Sequence, residues 1–236
     1  MLIMKIIEFI KKELSGWKNI EIILLIASFI LIFLNSIILK DNTIAIISAL
    51  CGILYTIIAG KGKCSCYLFG LCGSFCYCML TLQNKLYGHL ILNMCYYIPA
   101  QIIGFLSWRK HIKPKANEII KTKLKTKQKY ILLLITIFGC FITYYILKYY
   151  NDSNPIADSV TTFLSIIGMY LTVKRCIEQW IIWFIVNTIS LFMWINVLMS
   201  GEKVYSTIVM WSVYIILAIY FHMTWKKELD TQINGE

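Results

Sequence analysis

The stretch CIEQWIIWFIVNTISLFMWINVLM, residues 176–199, decides the fold of this chain of 236 residues. Its one charged residue, Glu178, lies at the start, and nearly all the others are large and apolar. About 20 apolar residues in a helix cross the hydrocarbon core of a bilayer. The stretch therefore predicts a transmembrane helix. The polar Asn187 in its middle then needs an explanation, because an amide in lipid has no water to bond.

The composition of the whole chain is typical of a membrane protein. Hydrophobic residues make up 59% and charged residues 15%, and the mean hydropathy is +0.71. Soluble domains have about half apolar and about a quarter charged residues. We therefore predict an all-α membrane protein with eight transmembrane helices, over residues 20–39, 43–59, 65–82, 89–108, 130–147, 156–173, 176–199 and 204–225. Residues 1–17 predict an amphipathic surface helix rather than a cleaved signal, since no small-residue cleavage site follows.

The net charge of +11 is distributed as expected for membrane topology and not for nucleic acid binding. With the amino terminus in the cytoplasm, 19 Lys and Arg residues fall on the inside of the eight spans and four on the outside. The positive-inside rule then predicts that both termini are cytoplasmic. We expect the basic segment KPKANEIIKTKLKTKQK, residues 113–129, to be a solvated cytoplasmic loop with some helix.

An internal repeat indicates two similar halves. A shift of 117 residues places Asp41 on Asp158 and Trp108 on Trp225. Two groups of three spans separated by one further span are parallel repeats, and transporters of this kind bind substrate near the middle of the membrane between the repeats. The predicted domains are residues 1–40 (surface helix and an extra transmembrane helix), 41–110 (first repeat), 111–155 (basic loop and linker helix), 156–227 (second repeat) and 228–236 (cytoplasmic tail).

Polar and aromatic residues within the spans are the candidate site. In the fourth span His89, Asn93, Tyr97 and Gln101 follow one another at steps of four and form a polar stripe, interrupted by Pro99. In the seventh span Trp180, Trp183 and Asn187 share one face with Ser190 and Trp194. The full set of predicted substrate-binding residues is Trp180, Trp183, Asn187, Gln101, Tyr97, Asn93, Thr161, Tyr214 and Trp211.

These residue types suit a planar, uncharged or singly positive solute. Two aromatic planes one turn apart can stack on a flat ring, and a cationic ring gains cation–π attraction. An amide both donates and accepts, so it can bind a carboxamide or a sugar hydroxyl. No arginine cluster within the spans could hold a phosphate, which argues against nucleotides. Structural roles stay open for some residues: Trp180 as an interfacial belt residue, Tyr97 and Tyr214 as packing residues, and Glu178 in a salt bridge with Lys174 or Arg175.

The chain carries no other recognisable chemistry. Its nine cysteines form no paired CxxC motif and have no histidine at ligand spacing, so we expect packed thiols and neither a metal nor a cofactor. No Walker motif is present for ATP hydrolysis. The histidines lie in separate segments and no carboxylate pair lies at mid-membrane, so a membrane enzyme such as a lipid-modifying transferase is a remote alternative. Ion coupling through Asp158 stays open.

The stretch ADSVTTFLSIIGMYLTVKRCIEQWIIWFIVN, residues 157–187, resembles the PnuC family of bacterial vitamin transporters. The matching positions are Thr161, Thr162, Leu164, Ser165 and Gly168, then Lys174, Arg175, Glu178, Trp180, Trp183 and Asn187, and, in the first half, Tyr97, Pro99, Gln101, Gly104 and Trp108. One departure is that the shift of 117 residues sets Gly70 opposite Asn187, so a site of this kind is asymmetric.

The resemblance implies a SWEET-like arrangement of one helix followed by 3+1+3 spans. It implies facilitated diffusion of a vitamin precursor through the bacterial inner membrane and trapping by a separate cytoplasmic kinase. Members with W-x2-W-x3-N are associated with nicotinamide riboside, and members without it with thiamine or riboflavin. In this chain Trp180, Trp183 and Asn187 would bind the riboside, with Gln101 and nearby aromatic residues completing the pocket. The resemblance also allows a homotrimer, and thiamine stays the alternative substrate.

Overall fold

The structure is a computed structural model that describes residues 13, 15–39, 43–83, 90, 92–113, 118–150, 154–201 and 205–234. Most of the predicted surface helix, residues 1–17, lies outside the described residues, as do His89 and Asp41. The chain forms two compact units, Met1–Ile120 and Lys121–Glu236. Each unit is described by itself.

The first unit is built from apolar helices that pack on their neighbours in chain order. Its elements are α1 (Asn19–Leu39), α2 (Thr43–Gly60), α3 (Cys66–Gln83), a π-helix (Asn93–Tyr97), α4 (Ile98–Arg109), β1 (Ile112–Lys113) and β2 (Glu118–Ile119). Helix α1 packs on α2, α2 on α3, and α3 on the π-helix and α4. The two short strands pair antiparallel, with Ile112 opposite Ile119. Ile53, Ile57, Tyr67 and Trp108 are fully buried in this unit.

The second unit contains four long helices. These are α5 (Thr126–Tyr149), α6 (Pro155–Val173), α7 (Gln179–Met199) and α8 (Tyr205–Asn234). Helix α5 packs on α6, α6 on α7, and α7 on α8. Leu171, Leu217, Phe221 and Trp225 are fully buried here. Helix α8 continues without a break to Asn234, so the predicted tail at residues 228–236 is helical over most of its length.

The prediction of a helical membrane fold is confirmed. Helices over Thr126–Tyr149, Pro155–Val173, Gln179–Met199 and Ile208–Gln232 are long and apolar enough to cross a membrane, and shorter apolar helices cover Asn19–Leu34, Ile46–Gly60 and Cys66–Met79. Large apolar side chains face outward, for example Leu134 and Phe138, which are 67% and 66% exposed. Such a surface is unfavourable in water and suits lipid.

A matching turn follows α2 and α6 and corrects the predicted repeat. Gly62 and Arg175 both have left-handed backbones, with φ of 69° and 60°. In each turn the next residue's N–H donates to the carbonyl five residues earlier, at 3.2 and 3.0 Å, which is the Schellman way of ending a helix. Arg175 lies 113 residues after Gly62. The predicted uniform shift of 117 residues is therefore wrong for this turn.

The basic segment at residues 113–129 agrees only in part with the predicted solvated loop with some helix. Its described lysines from Lys123 onward are exposed and Thr126 begins α5, but Ile119 and Lys121 are not solvated. Residues 118–125 are not helical. Ile119 is 1% exposed and Lys121 is 4% exposed. In the first unit the Ile119 N–H donates to the Gly62 carbonyl at 2.9 Å. Ile119 and Lys121 are buried because the backbone and the Lys121 side chain find partners, whereas Lys123 and Lys125 stay exposed. Net charge alone cannot indicate this difference.

Two more basic residues counted in the topology argument are buried in the first unit. Lys61 pairs with the Glu21 carboxylate at 3.0 Å. Lys63 is fully buried and donates to the Ser15 carbonyl at 2.9 Å. Burial lowers the pKa of the Lys63 ammonium, against the opposing effect of the Glu13 carboxylate. These lysines thus hold residues 13–21 against the α2–α3 turn.

Candidate functional site

The first tryptophan of the motif on α7 is enclosed by α8. Trp180 is 3% exposed. Its ring centroid lies 5.3 Å from that of Phe221 and 5.6 Å from that of Trp225, which it meets nearly at right angles. Its indole Nε1 is buried, with no hydrogen-bond partner among the described residues. Trp180 therefore has aromatic rings of the protein, rather than open space, against its faces.

The second tryptophan contacts the other neighbour, α6. The Trp183 Nε1 donates to the Thr172 hydroxyl at 3.3 Å, and that hydroxyl donates to the Gly168 carbonyl at 2.9 Å. The Trp183 ring lies so close to Gly168 that a Cβ there would be 3.0 Å from the indole Cε2. Trp183 is only partly buried. A hydrogen bond and a close contact with a glycine thus fix the orientation of a ring that stays partly exposed.

Asn187 lies one turn after Trp183 on α7. It is 6% exposed, and the nearby Ser190 is 7% exposed. No described residue forms a hydrogen bond with the Asn187 side chain. The amide atoms of Asn187 are not among the fully enclosed atoms that lack a hydrogen-bond partner in the described part of the chain. They are therefore accessible to a ligand, to which an amide can both donate and accept.

The remaining predicted residues of the second unit have mixed surroundings. The Thr161 hydroxyl donates to the Ala157 carbonyl of its own helix at 2.9 Å, as threonines in membrane helices commonly do. Trp211 and Tyr214 form an edge-to-face pair with centroids 6.0 Å apart. The Trp211 Nε1 is buried and lacks a hydrogen-bond partner within the described part of the chain. The binding roles of Thr161, Trp211 and Tyr214 stay predictions.

In the first unit the predicted polar stripe coincides with an irregular helix. Asn93 and Tyr97 are the two ends of the π-helix, which closes with the Ile98 N–H donating to the Asn93 carbonyl. Pro99 follows directly and has no N–H for a regular helical bond. Single π-turns are often found at functional sites. The sequence indicates a disturbance at Pro99 but does not tell a kink from a π-turn.

Gln101 has one satisfied end and one unsatisfied end. Its Nε2 donates to the Ser74 hydroxyl at 2.8 Å. Its Oε1 is buried, and the described residues offer it no hydrogen-bond donor. A Cβ at Gly70 would be 2.8 Å from this oxygen and 2.7 Å from the Tyr55 ring. Gly70 therefore leaves the space in which the Gln101 amide lies.

The first-half counterparts of the motif follow the matching turns. With the spacing of 113 residues, Trp183 corresponds to Gly70 and Asn187 to Ser74. The predicted pairing of Asn187 with Gly70 is wrong by one helical turn. An aromatic ring at Gly70 would collide with Tyr55 and Gln101, so the two halves cannot bear the same binding groups.

Charged side chains lie at the ends of these helices. Residues 179–199 of α7 include no charged residue. Glu178, just before α7, pairs with Lys129 at 2.9 Å and not with Lys174 or Arg175 as predicted. Among the described residues no group of three metal-ligating side chains is present. Cys66 and Cys78 are buried as expected of packed thiols, but Cys72 is exposed.

Comparisons with known proteins agree on one family. The family model described as nicotinamide mononucleotide transporter matches residues 42–227. The nicotinamide riboside transporter PnuC of Neisseria mucosa is 30% identical over 223 residues, 92% of this chain and 85% of that protein. The protein of the same name from Haemophilus influenzae is 27% identical over 92% of this chain and 95% of its own length. A crystal structure of the vitamin B3 transporter PnuC superposes with a TM-score of 0.81 at 30% identity, covering 93% of this chain and 96% of the other.

Proposed function

The chain belongs to the PnuC family, and from this premise we propose that it imports nicotinamide riboside through the bacterial inner membrane by facilitated diffusion. The proposal includes eight spans with both termini in the cytoplasm and parallel 3+1+3 repeats. The transported riboside is trapped by a separate kinase, since no Walker motif is present in this chain. We therefore assign this chain as a transporter and not as an enzyme.

The charge distribution favours the riboside over its phosphorylated form. The family model is named for the mononucleotide, whereas the two curated relatives are named for the riboside. Residues 43–60, 66–83 and 179–199, which form α2, α3 and α7, have no charged side chain. A phosphate dianion in these helices would have no cation to pair with, and burying an unpaired charge costs many kcal/mol.

The observation that carries the proposal is the pair formed by an oriented indole and an unbonded amide. Trp183 is held by Thr172 and Gly168 and stays partly exposed. Asn187, one turn away, is buried without a hydrogen-bond partner among the described residues. A pyridinium ring stacks on an indole with cation–π attraction, and its carboxamide or ribose hydroxyls match an amide.

Gln101 and Trp180 have further roles in the proposed site. The orphan Oε1 of Gln101 is an acceptor that suits a ribose hydroxyl or a carboxamide N–H. Trp180 forms the aromatic wall behind the motif, since its faces already contact Phe221 and Trp225. The remaining proposed residues are Tyr97, Asn93, Thr161, Tyr214 and Trp211.

The substitution Asn187→Ala tests the proposal. We expect the affinity for nicotinamide riboside, measured by tryptophan quenching and by calorimetry, to fall about 5- to 150-fold, the factor that corresponds to a lost hydrogen bond to a buried group of about 1–3 kcal/mol. The melting temperature should stay near that of the wild type, because no described side chain loses a partner.

The neighbouring Thr188→Ala is the matched control. The Thr188 hydroxyl bonds only its own helix, to the Phe184 carbonyl at 2.8 Å, among the described contacts. This variant should bind the riboside as the wild type does. Unchanged affinity in Asn187→Ala would remove Asn187 from the site, and tighter binding of thiamine in a competition titration would replace the riboside as the substrate.

A further inference from the structure

Residues 121–124, here called the strap, run extended along one end of the second unit. The Thr122 N–H donates to the Arg175 carbonyl, and the Ile177 N–H donates to the Thr122 carbonyl, both at 2.9 Å. Thr122 and Cys176 are thus partners in a parallel β-bridge. The strap is thereby attached to the turn between α6 and α7.

The strap is also attached to α8 through Lys121. The Lys121 side chain is 2% exposed and forms an ion pair with Glu228. Its Nζ lies 5.2 Å above the ring of Trp225. The Lys121 backbone N–H and carbonyl both bond the Gln232 amide at 3.4 Å. A buried lysine is tolerated because a carboxylate and an aromatic face both stabilise its charge.

A third attachment reaches the start of α7. The Leu124 N–H lies 3.2 and 3.3 Å from the two carboxylate oxygens of Glu178. The same carboxylate pairs with Lys129 at 2.9 Å. The strap therefore bridges the three parts of the second unit that meet at this end, namely the α6–α7 turn, the start of α7 and the late part of α8.

The strap lies against the aromatic cluster that encloses the first tryptophan of the motif. Lys121 lies over Trp225, Trp225 meets Trp180 edge to face at 5.6 Å, and Trp180 contacts Phe221 at 5.3 Å. Along α7, Trp180 lies between Trp183 and this end, and it contacts α8 there. Parting these rings requires α7 to move from α8, and the strap joins the two helices.

We propose that the strap is a latch that closes this end of the second unit and that its release is a step of substrate translocation. This inference rests on the proposed function. The strap is held to the α6–α7 turn and to the start of α7 by backbone and carboxylate hydrogen bonds, which water can replace when the strap lifts. Packed apolar helices have no such exchange partner in water. The latch is therefore the part of this end that can open and close without unfolding the helices.

A native cysteine makes the latch testable by cross-linking. The Thr122 hydroxyl lies 3.4 Å from the Cys176 thiol. Thr122→Cys places two thiols side by side on adjacent extended segments, within the Cα separation that a disulfide accepts. After oxidation with copper phenanthroline, we expect uptake of nicotinamide riboside into proteoliposomes to fall at least tenfold, while quench titrations still report riboside binding. Dithiothreitol should restore uptake.

The matched control is Thr122→Cys combined with Cys176→Ser, treated with the same oxidant. It should keep full uptake, as should the oxidised wild type. Full uptake by protein shown to be cross-linked would overturn the latch while leaving the proposed function intact. Failure of the untreated wild type to bind or carry the riboside would instead overturn the proposed function.

A second measurement uses the wild-type chain and does not depend on disulfide formation. Cys176 is 5% exposed beside Thr122, so a water-soluble maleimide reaches it when the strap lifts. We expect riboside turnover to change the labelling rate of Cys176, and Lys121→Ala to raise it at least fivefold. Labelling rates that neither turnover nor Lys121→Ala alters would show a static strap and overturn the latch.

Discussion

The three residues of the motif on α7 share a helix face but have different neighbours. Trp180 contacts Phe221 and Trp225 of α8, whereas Trp183 contacts α6. Residues three apart on a helix point about 60° from each other, which is enough for two neighbouring helices to take one tryptophan each. Asn187, one turn further, keeps an amide that no described residue bonds. In the proposed site, one motif would thus supply an aromatic wall, a stacking surface and a polar contact.

The Thr172 hydroxyl, which orients the Trp183 ring, can be removed by a conservative substitution. Thr172→Val keeps the shape but takes away the acceptor for the Trp183 indole N–H. A hydrogen bond of this kind contributes about 0.5–1.5 kcal/mol, so we expect riboside affinity in a quench titration to fall about 2- to 12-fold.

Thr224→Val is the matched control for that measurement. Thr224 is also buried in a helix, and its hydroxyl donates to the Tyr220 carbonyl at 3.0 Å. Loss of the Thr224 hydroxyl should change the free energy of unfolding about as much as loss of the Thr172 hydroxyl. It should leave the affinity for the riboside unchanged. Equal affinities in the two variants would mean that the orientation of Trp183 does not matter for binding.

The sequence indicates candidate residues more readily than their partners. Asn187 and Gln101 are conspicuous because amides are costly in lipid, and both are buried in the structure. The partners Thr172 and Ser74 are ordinary small polar residues of membrane helices and give no comparable signal. Their roles depend on which helix faces meet, and hydropathy does not contain that information.

At the level of elements, apolar length predicts helices well and connections poorly. Helix α6 begins and ends within one residue of the predicted span, because Pro155 and the turn at Arg175 limit it. The burial of Lys121 in the connection before α5 is not predicted, since its partners Glu228 and Trp225 lie more than 100 residues further along the chain. Long-range pairs of this kind leave no local pattern.

The contact between α5 and α6 depends on one glycine. A Cβ at Gly139 would lie 1.9 Å from the Phe163 ring, too close for any side chain. We therefore expect Gly139→Ala to destabilise the protein by about 1–3 kcal/mol or more, the usual cost of overpacking. A thermal melt in detergent measures this effect.

Shortening the opposing side chain should rescue that variant. The double variant Gly139→Ala with Phe163→Leu gives the new methyl group room, so its melting temperature should exceed that of Gly139→Ala alone. Phe163→Leu alone is the control for the lost ring. If the loss of stability in the double variant equalled the sum of the losses in the two single variants, residues 139 and 163 would not interact.

At the level of the whole molecule, charge placement determines orientation. Lys61 and Lys121 are buried in ion pairs, and Lys63 is buried with backbone carbonyls as partners, so the three contribute little to a surface field. Removing them from the count leaves 16 basic residues on the predicted inner side against four on the outer side. The excess of basic residues on the predicted inner side thus remains when the buried lysines are left out, because it depends on many residues.

That bias leads to a topology prediction with two reporters. Residues 200–201 follow α7 and residue 236 ends the chain, so a single crossing by α8 separates the two positions. Alkaline phosphatase inserted after Gly201 should be active, because it reaches the outer side, and the same enzyme fused after Glu236 should be inactive. Green fluorescent protein, which matures in the cytoplasm, should give the opposite pattern and serves as the control. If both positions reported one side, α8 would not cross the membrane, and an even number of spans with two parallel repeats would no longer be possible.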